Sequence, residues 1–177
     1  SNPPQRKYKP NVPEGGNASP FIAQWPKGST EGGRIVSDQI FHLVDVMPTL
    51  CDVAGAEYPD EFQGRPVTPA AGISMAPYFN GTIDEPEERT LHWQHLDHSA
   101  VRQGNWKLVT LNDRSPSAWE LYDLSQDRSE TANVAEEHPE VARKLQARWR
   151  AWAAEVNALP FPEERGDARP NRPPEAQ

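Results

Sequence analysis

The sequence predicts a mixed α/β chain: loops and one helix first, then β-hairpins, then a long amphipathic helix. Three observations predict it. Strand-like runs recur at 90–93, 99–102, 106–111 and 119–124, and Gln103, Gly104 and Asn105 form a short hairpin turn between two of them. Val141, Leu145, Trp149, Trp152 and Val156 repeat at helical spacing after Pro139, a residue suited to a helix start. Residues 45–55 carry the signals of a shorter helix. Asp45 is expected as its N-cap, Pro48 is tolerated in the first turn, and Gly55 is placed as a stop. Val46, Leu50, Val53 and Ala54 would share one apolar face of that helix.

The remaining elements follow in order. Pro3, Pro4, Pro10 and Pro13 keep the first dozen residues out of any regular element. The apolar run 21–25, ended by Pro26, is expected as a buried strand. Residues 27–33 read as a turn or loop and 34–39 as extended backbone. Residues 56–89 are mostly loop, punctuated by Pro59, Pro66, Pro69, Pro77 and Pro86. Arg65 lies in that connector and is expected to tether carbonyls rather than to bind an anion. On the last helix, Arg143, Lys144, Arg148 and Arg150 fall off the apolar stripe. A basic amphipathic helix with two tryptophans suits a membrane surface or a partner groove. The plainer expectation is a helix packed on the sheet. Beyond Leu159 the chain is Pro-rich and charged, and a mobile tail is expected.

Composition bounds the function. The 177 residues suffice for one domain with a core, or for part of a larger one. Only 36% are hydrophobic and 19 are proline, about twice the average proline usage, so much of the chain is expected to be ordered loop. A net charge of -8 and a pI near 5.1 exclude a nucleic-acid surface, which needs a basic face. No run approaches the roughly 18 apolar residues of a helical membrane span. Cys51 is the single cysteine, which excludes an internal disulfide. Ser1 is not a natural start, and a domain rarely opens on a binding loop. A fragment of a longer protein is expected.

That opening loop carries the candidate chemistry. Lys9 precedes Glu14, Gly15 and Gly16, and an apolar run follows. Glycines allow close backbone approach, and a lysine ammonium is a compact charge suited to a tetrahedral oxyanion. Taken alone, these residues favour a solvated loop lysine. His92, His95 and His98 lie three apart, but neighbouring positions of a strand alternate faces, so His92 and His95 cannot share one ion. His42 is expected to be structural.

The words around Lys9 are more specific. The Ser-Asn-x-Pro opening, the Lys-x4-Glu-Gly-Gly of residues 9–16 and the Ser-Pro-Phe-Ile-Ala-Gln-Trp-Pro-Lys-Gly of residues 19–28 resemble the later half of the type I sulfatases (the arylsulfatase family). The Gly-Arg-Pro of residues 64–66 and Gly72, Ile73 and Ser74 are similar to the family's connector. The words 100–109 (A-V-R-x-G-x-W-K-L-V), 119–124 (W-E-L-Y-D-L) and Asp127-x-x-Glu130 resemble its small closing sheet. The two halves of the chain point to one family independently.

The resemblance implies the C-terminal part of an alkaline-phosphatase-like sulfatase fold. Residues 1–85 would end the large domain, 86–160 would form the small antiparallel sheet with its helix, and 161–177 the tail. It implies hydrolysis of sulfuric esters by a formylglycine made from a C/S-x-P-x-R motif, with Ca²⁺ neutralising the sulfate. Oxygen ligands suit such a hard cation, and charge stabilisation is the expected dominant contribution. This chain has no C/S-x-P-x-R, Cys51 is followed by Asp52, Val53 and Ala54, and no metal ligand of the family falls in it. Of the catalytic set the resemblance places only Lys9 here, as a ligand of the sulfate, with Lys7 as the fallback if the loop register shifts. Glu14 is expected to anchor the loop through backbone amides. His95 matches the family's W-x-H triplet at the cleft mouth and is expected to touch substrate. Gln94, Asp97 and His98 depart from the commoner residues there, which leaves substrate selection open.

The implied ligand is a sulfate ester or sulfated carbohydrate, and the implied partner is the N-terminal part of the same protein. Family resemblance also implies a periplasmic or secreted location. The 177 residues expressed alone are expected to be inactive. The alternatives are a non-catalytic module holding a sulfated ligand or another anion, or a phosphatase or phosphonate hydrolase of the same superfamily.

Overall fold

Alternation along four strands organises the second half of the chain. The structure is a computed structural model that describes residues 4–9, 11–29, 32, 33, 35, 39–83, 88–95, 98–111 and 119–158. In chain order the elements are α1 (Glu14–Asn17), a 3₁₀ turn (Leu43–Asp45), α2 (Val46–Ala54), β1 (Glu61–Phe62), β2 (Arg65–Pro66), α3 (Ala76–Phe79), β3 (Thr90–His95), β4 (His98–Gln103), β5 (Trp106–Thr110), β6 (Trp119–Asp123) and α4 (Pro139–Glu155). Two compact units result. One comprises Ser1–Ser19 with Thr90–Gln177, the other Pro20–Arg89. The opening segment groups with the sheet strands in the first of these units.

In the sheet unit, β3, β4, β5 and β6 form an antiparallel meander in sequence order. The registers Leu91↔Arg102, Arg102↔Lys107 and Lys107↔Tyr122 run one row across all four strands. Because side chains alternate, the sheet has two different faces. One carries Val101, Leu108 and Leu121, which pack with Leu145, Trp149 and Ala153 of α4. The other carries Ala100, Val109 and Tyr122, joined by Leu124 and by Val12 of the opening segment. Each Val or Leu side chain so buried contributes about 1.5–3 kcal/mol relative to exposure.

The hairpins and the last helix match expectation, and so does the packing of α4 on the sheet. Ala153 rather than Val156 completes its buried stripe. Val156 is the C-cap and is half exposed, because it lies past the last full turn. Trp149 also donates its indole N–H to the Trp93 carbonyl at 3.0 Å.

In the other unit, α2 forms over the expected residues and Gly55 ends it in the left-handed region, φ 61°. Asp45 does not cap α2 with its side chain. Its carboxylate is fully buried and accepts from the backbone of His42 and Ile73 and from Arg89, at 2.6–3.0 Å. His42 is structural as expected: its Nδ1 accepts from the Val44 amide at the turn before α2. Thr49 donates to the Asp45 carbonyl and accepts from the Met75 amide, linking α2 to the start of α3. Leu50 and Val53, on the predicted apolar face, remain exposed.

The expected buried strand over residues 21–25 is not present. Those residues pair with no strand, and Ile22 is 92% exposed. A five-residue apolar run fixes neither a pairing partner nor a face, and nothing among the described residues supplies either. Arg65 is exposed on a two-residue strand. Most of the run 34–39 and the tail 161–177 lie outside the described residues.

Candidate functional site

The Lys9 loop is built by two tight backbone closures. The Tyr8 carbonyl accepts from both the backbone and the side-chain amide of Asn11, each at 2.8 Å, and Lys9 is exposed in that turn. Gly15 then returns to donate to the Arg6 carbonyl at 3.1 Å. The chain crosses itself closely here. A Cβ on Gly15 would lie 2.3 Å from the Lys7 carbonyl oxygen, and one on Gly16 would lie 1.8 Å from that of Asn11. Real Cβ atoms do not come that close, so the paired glycines are a geometric requirement of this loop. Lys7, next to the crossing, is itself held at φ 66°.

Beneath the loop lies a buried ionic cluster that the sequence reading did not identify. Lys107 of β5 is fully buried, and its Nζ donates to Glu14 Oε1 at 2.7 Å and to Asn17 Oδ1 at 3.3 Å. The same ammonium lies 3.1 Å from Glu130 Oε1. Glu130 Oε2 in turn accepts from the Glu14 backbone amide at 2.8 Å. Arg102, opposite Lys107 in the β4–β5 register, reaches Glu14 Oε2 at 3.9 Å. Two cations thus face two carboxylates, with the Trp93 ring 5.7 Å from the ammonium. Burial pushes the Glu130 carboxyl up, and Lys107 and the Glu14 amide partly offset that push.

Glu14 therefore does anchor the loop, but not as expected. Its carboxylate takes Lys107 rather than loop amides, and its own amide is held by Glu130. A second tie lies nearby. Arg6 donates to Glu120 Oε2 at 2.5 Å and to the Tyr122 hydroxyl. Burial, chiefly, drives the Tyr122 hydroxyl well above its usual range, so it stays protonated.

His95 ends β3 and is exposed, paired across the strands with His98. Alternation from Leu91 and Trp93 places it on the sheet face that carries Lys107. His92, on the opposite face, stacks on Trp152 of α4 at 5.1 Å. Its imidazole is held below the ordinary value by burial and by Arg148. Among the described residues no three histidine, cysteine, aspartate or glutamate side chains converge as a metal site. One signal for the cluster was available in the sequence: Lys107 stands among Trp106, Leu108 and Val109 in a largely apolar strand.

The family is now defined. The sequence matches the family described as N-sulphoglucosamine sulphohydrolase, C-terminal, over residues 11–155, and the chain belongs to it. It is 30% identical over 164 residues to an uncharacterized sulfatase of Schizosaccharomyces pombe, covering 91% of this chain and 29% of that protein. It is 27% identical over 149 residues to arylsulfatase K of Homo sapiens, covering 78% and 26%. To the N-acetylgalactosamine-6-O-sulfatase of Bacteroides thetaiotaomicron it is 27% identical over 150 residues, covering 75% and 26%. Among solved structures, the crystal structure of Ps i-CgsB matches with a TM-score of 0.64 at 23% identity, over 86% of this chain and 32% of that one. That likeness is one of fold alone: a mixed α/β arrangement with a four-stranded antiparallel sheet and a long helix. The chain spans less than a third of the length of each of these relatives.

Proposed function

We propose that this chain forms the sulfate-facing loop and closing sheet of a sulfuric ester hydrolase of the arylsulfatase kind. The observation that carries this reading is the division of labour in residues 9–16. Glu14, Gly15 and Gly16 are committed to a buried lock, and Lys9 is left exposed at the turn the lock holds. A lysine so presented supplies a fixed positive charge to the oxygens of a sulfate ester, where charge grows as the ester bond breaks. Membership of a sulfatase family supports the same assignment.

The calcium ion and the formylglycine would come from outside these 177 residues, since neither a C/S-x-P-x-R motif nor a convergent ligand set among the described residues belongs to this chain. What the chain contributes is binding and orientation. Lys9 holds the anion, and His95, exposed on the lysine-bearing face of the sheet, contacts the rest of the substrate. The names of the bacterial relative and of the family both specify sulfated amino sugars, which favours a sulfated carbohydrate as natural substrate, with 4-nitrophenyl sulfate as a chromogenic stand-in for its ester. The N-terminal part of the same protein is the partner that would complete the site, and a periplasmic or secreted location accompanies such substrates.

The test is turnover of 4-nitrophenyl sulfate by the intact gene product and its Lys9→Ala variant. A fall in kcat/KM of about a hundredfold is expected, the usual cost of removing one such charge from a closed site. Unchanged turnover would remove Lys9 from the mechanism. The 177 residues alone are expected to turn over nothing, with or without calcium.

A further inference from the structure

The buried ionic cluster is larger than a loop of this size needs. Glycine crossings and the Tyr8–Asn11 turn already close residues 6–16 on themselves. Yet the fully buried Lys107 and the 1% exposed Glu130 are both aimed at Glu14, one at its carboxylate and one at its amide. Glu130 achieves this from a left-handed backbone, φ 55°, a conformation costly for a residue with a side chain. Removing charges from water for this purpose is also costly. Such costs persist where the surroundings fix a geometry that something else uses.

We propose that Lys107 and Glu130 are positioning residues for Lys9. Together they grip Glu14 from both sides and fix the height and angle of the loop over the sheet. Lys107 sets the carboxylate end of the grip, Glu130 sets the backbone end, and Arg102 balances the charge. The reach is short: Glu14 lies five residues from Lys9, and the crossing at Arg6, Lys7 and Gly15 makes the intervening chain stiff. A shift of the grip is therefore passed to the lysine, and a misplacement of about 1 Å can cost about a hundredfold in rate. The inference rests on Lys9 being the sulfate ligand.

The test is a double-mutant cycle in the intact gene product, reading kcat/KM for 4-nitrophenyl sulfate and Kd for inorganic sulfate. Lys107→Met is expected to lower kcat/KM by about tenfold to a hundredfold when Lys9 is present. In the Lys9→Ala background the same substitution is expected to change it less than twofold, and sulfate affinity should follow the same pattern. Equal losses in both backgrounds would mean general damage to the fold, and would overturn the proposal. No loss in either background would overturn it too. A silent Lys9→Ala would instead overturn the assignment of Lys9 itself, which separates the two failures. Should Lys107→Met not fold, Glu130→Gln is read in the same cycle. It keeps an acceptor for the Glu14 amide and replaces the carboxylate oxygen facing Lys107 with a neutral NH2, which cannot accept from the ammonium.

Discussion

Lys107 Nζ lies 2.7 Å from Glu14 Oε1, although 93 residues separate them in sequence. The contact joins a strand of the closing sheet to the loop that presents Lys9. It makes the lysine's position a property of the sheet rather than of the loop alone.

The glycine crossing gives the sharpest test of the loop. Gly16→Ala would place a Cβ 1.8 Å from the Asn11 carbonyl oxygen. Forced overpacking of this kind costs about 1–3 kcal/mol or more. Urea unfolding of the intact gene product should show that loss. Gly32→Ala is the control, since nothing lies within 4 Å of its added Cβ, and it should change stability little.

The Asp45–Arg89 pair should govern the acid stability of the unit Pro20–Arg89. The Asp45 carboxyl is fully buried and Arg89 is 12% exposed, with an N–O distance of 2.7 Å. Burial pushes the carboxyl up, but Arg89 and the amides of His42 and Ile73 outweigh it and hold the group below its ordinary value. The stabilisation is therefore present above the unfolded carboxylate value of about 3.9 and is lost as pH falls through the lower folded value. Arg89→Ala leaves a buried charge unpaired and should cost about 3–5 kcal/mol at neutral pH. Asp45→Asn should flatten the acid limb of a stability-against-pH curve. An acid limb unchanged by that substitution would assign it to other carboxylates.

The last helix should respond unevenly along its length. Trp149 is 2% exposed, packs in the α4–sheet core and donates to Trp93. Trp149→Ala should cost about 3–5 kcal/mol. Val156→Ala, at a half-exposed cap, should stay within about 0.5 kcal/mol. Thermal unfolding of both variants would show the contrast.

Much of the fold was legible because its signals are local. The 3.6-residue recurrence of Leu145 and Trp149, the turn at Gly104 and the stop at Gly55 each depend on neighbours within a few residues. Asp45 was misread because a buried carboxylate chooses among donors, and Arg89 outcompetes the orphan amides of α2. The strand expected over 21–25 failed because an apolar run specifies hydrophobicity but no pairing partner. In the candidate site, the resemblance of the Lys-x4-Glu-Gly-Gly word singled out Lys9, whose role is the one proposed above. Glu14 was found as an anchor but given the wrong partners. Lys107 and Glu130 were visible only as anomalies: a lysine within an apolar strand and the last letter of a motif. Their meeting at Glu14 spans more than 90 residues, and no local pattern encodes it.

The sheet unit is discontinuous, since Pro20–Arg89 lies between its two parts in sequence. In topological terms the middle of the chain is an insertion, and bringing the outer parts together closes a loop of 70 residues. On a simple chain model that closure costs on the order of 4 kcal/mol, so the ionic grip should form late in folding. Once formed, it no longer needs the covalent connection. A single cut within residues 56–60, which are exposed, should leave the opening peptide attached to the sheet on a native gel. Because the Asp45–Arg89 and Thr49–Met75 contacts also span that cut, release should require substituting Lys107 and Arg89 together.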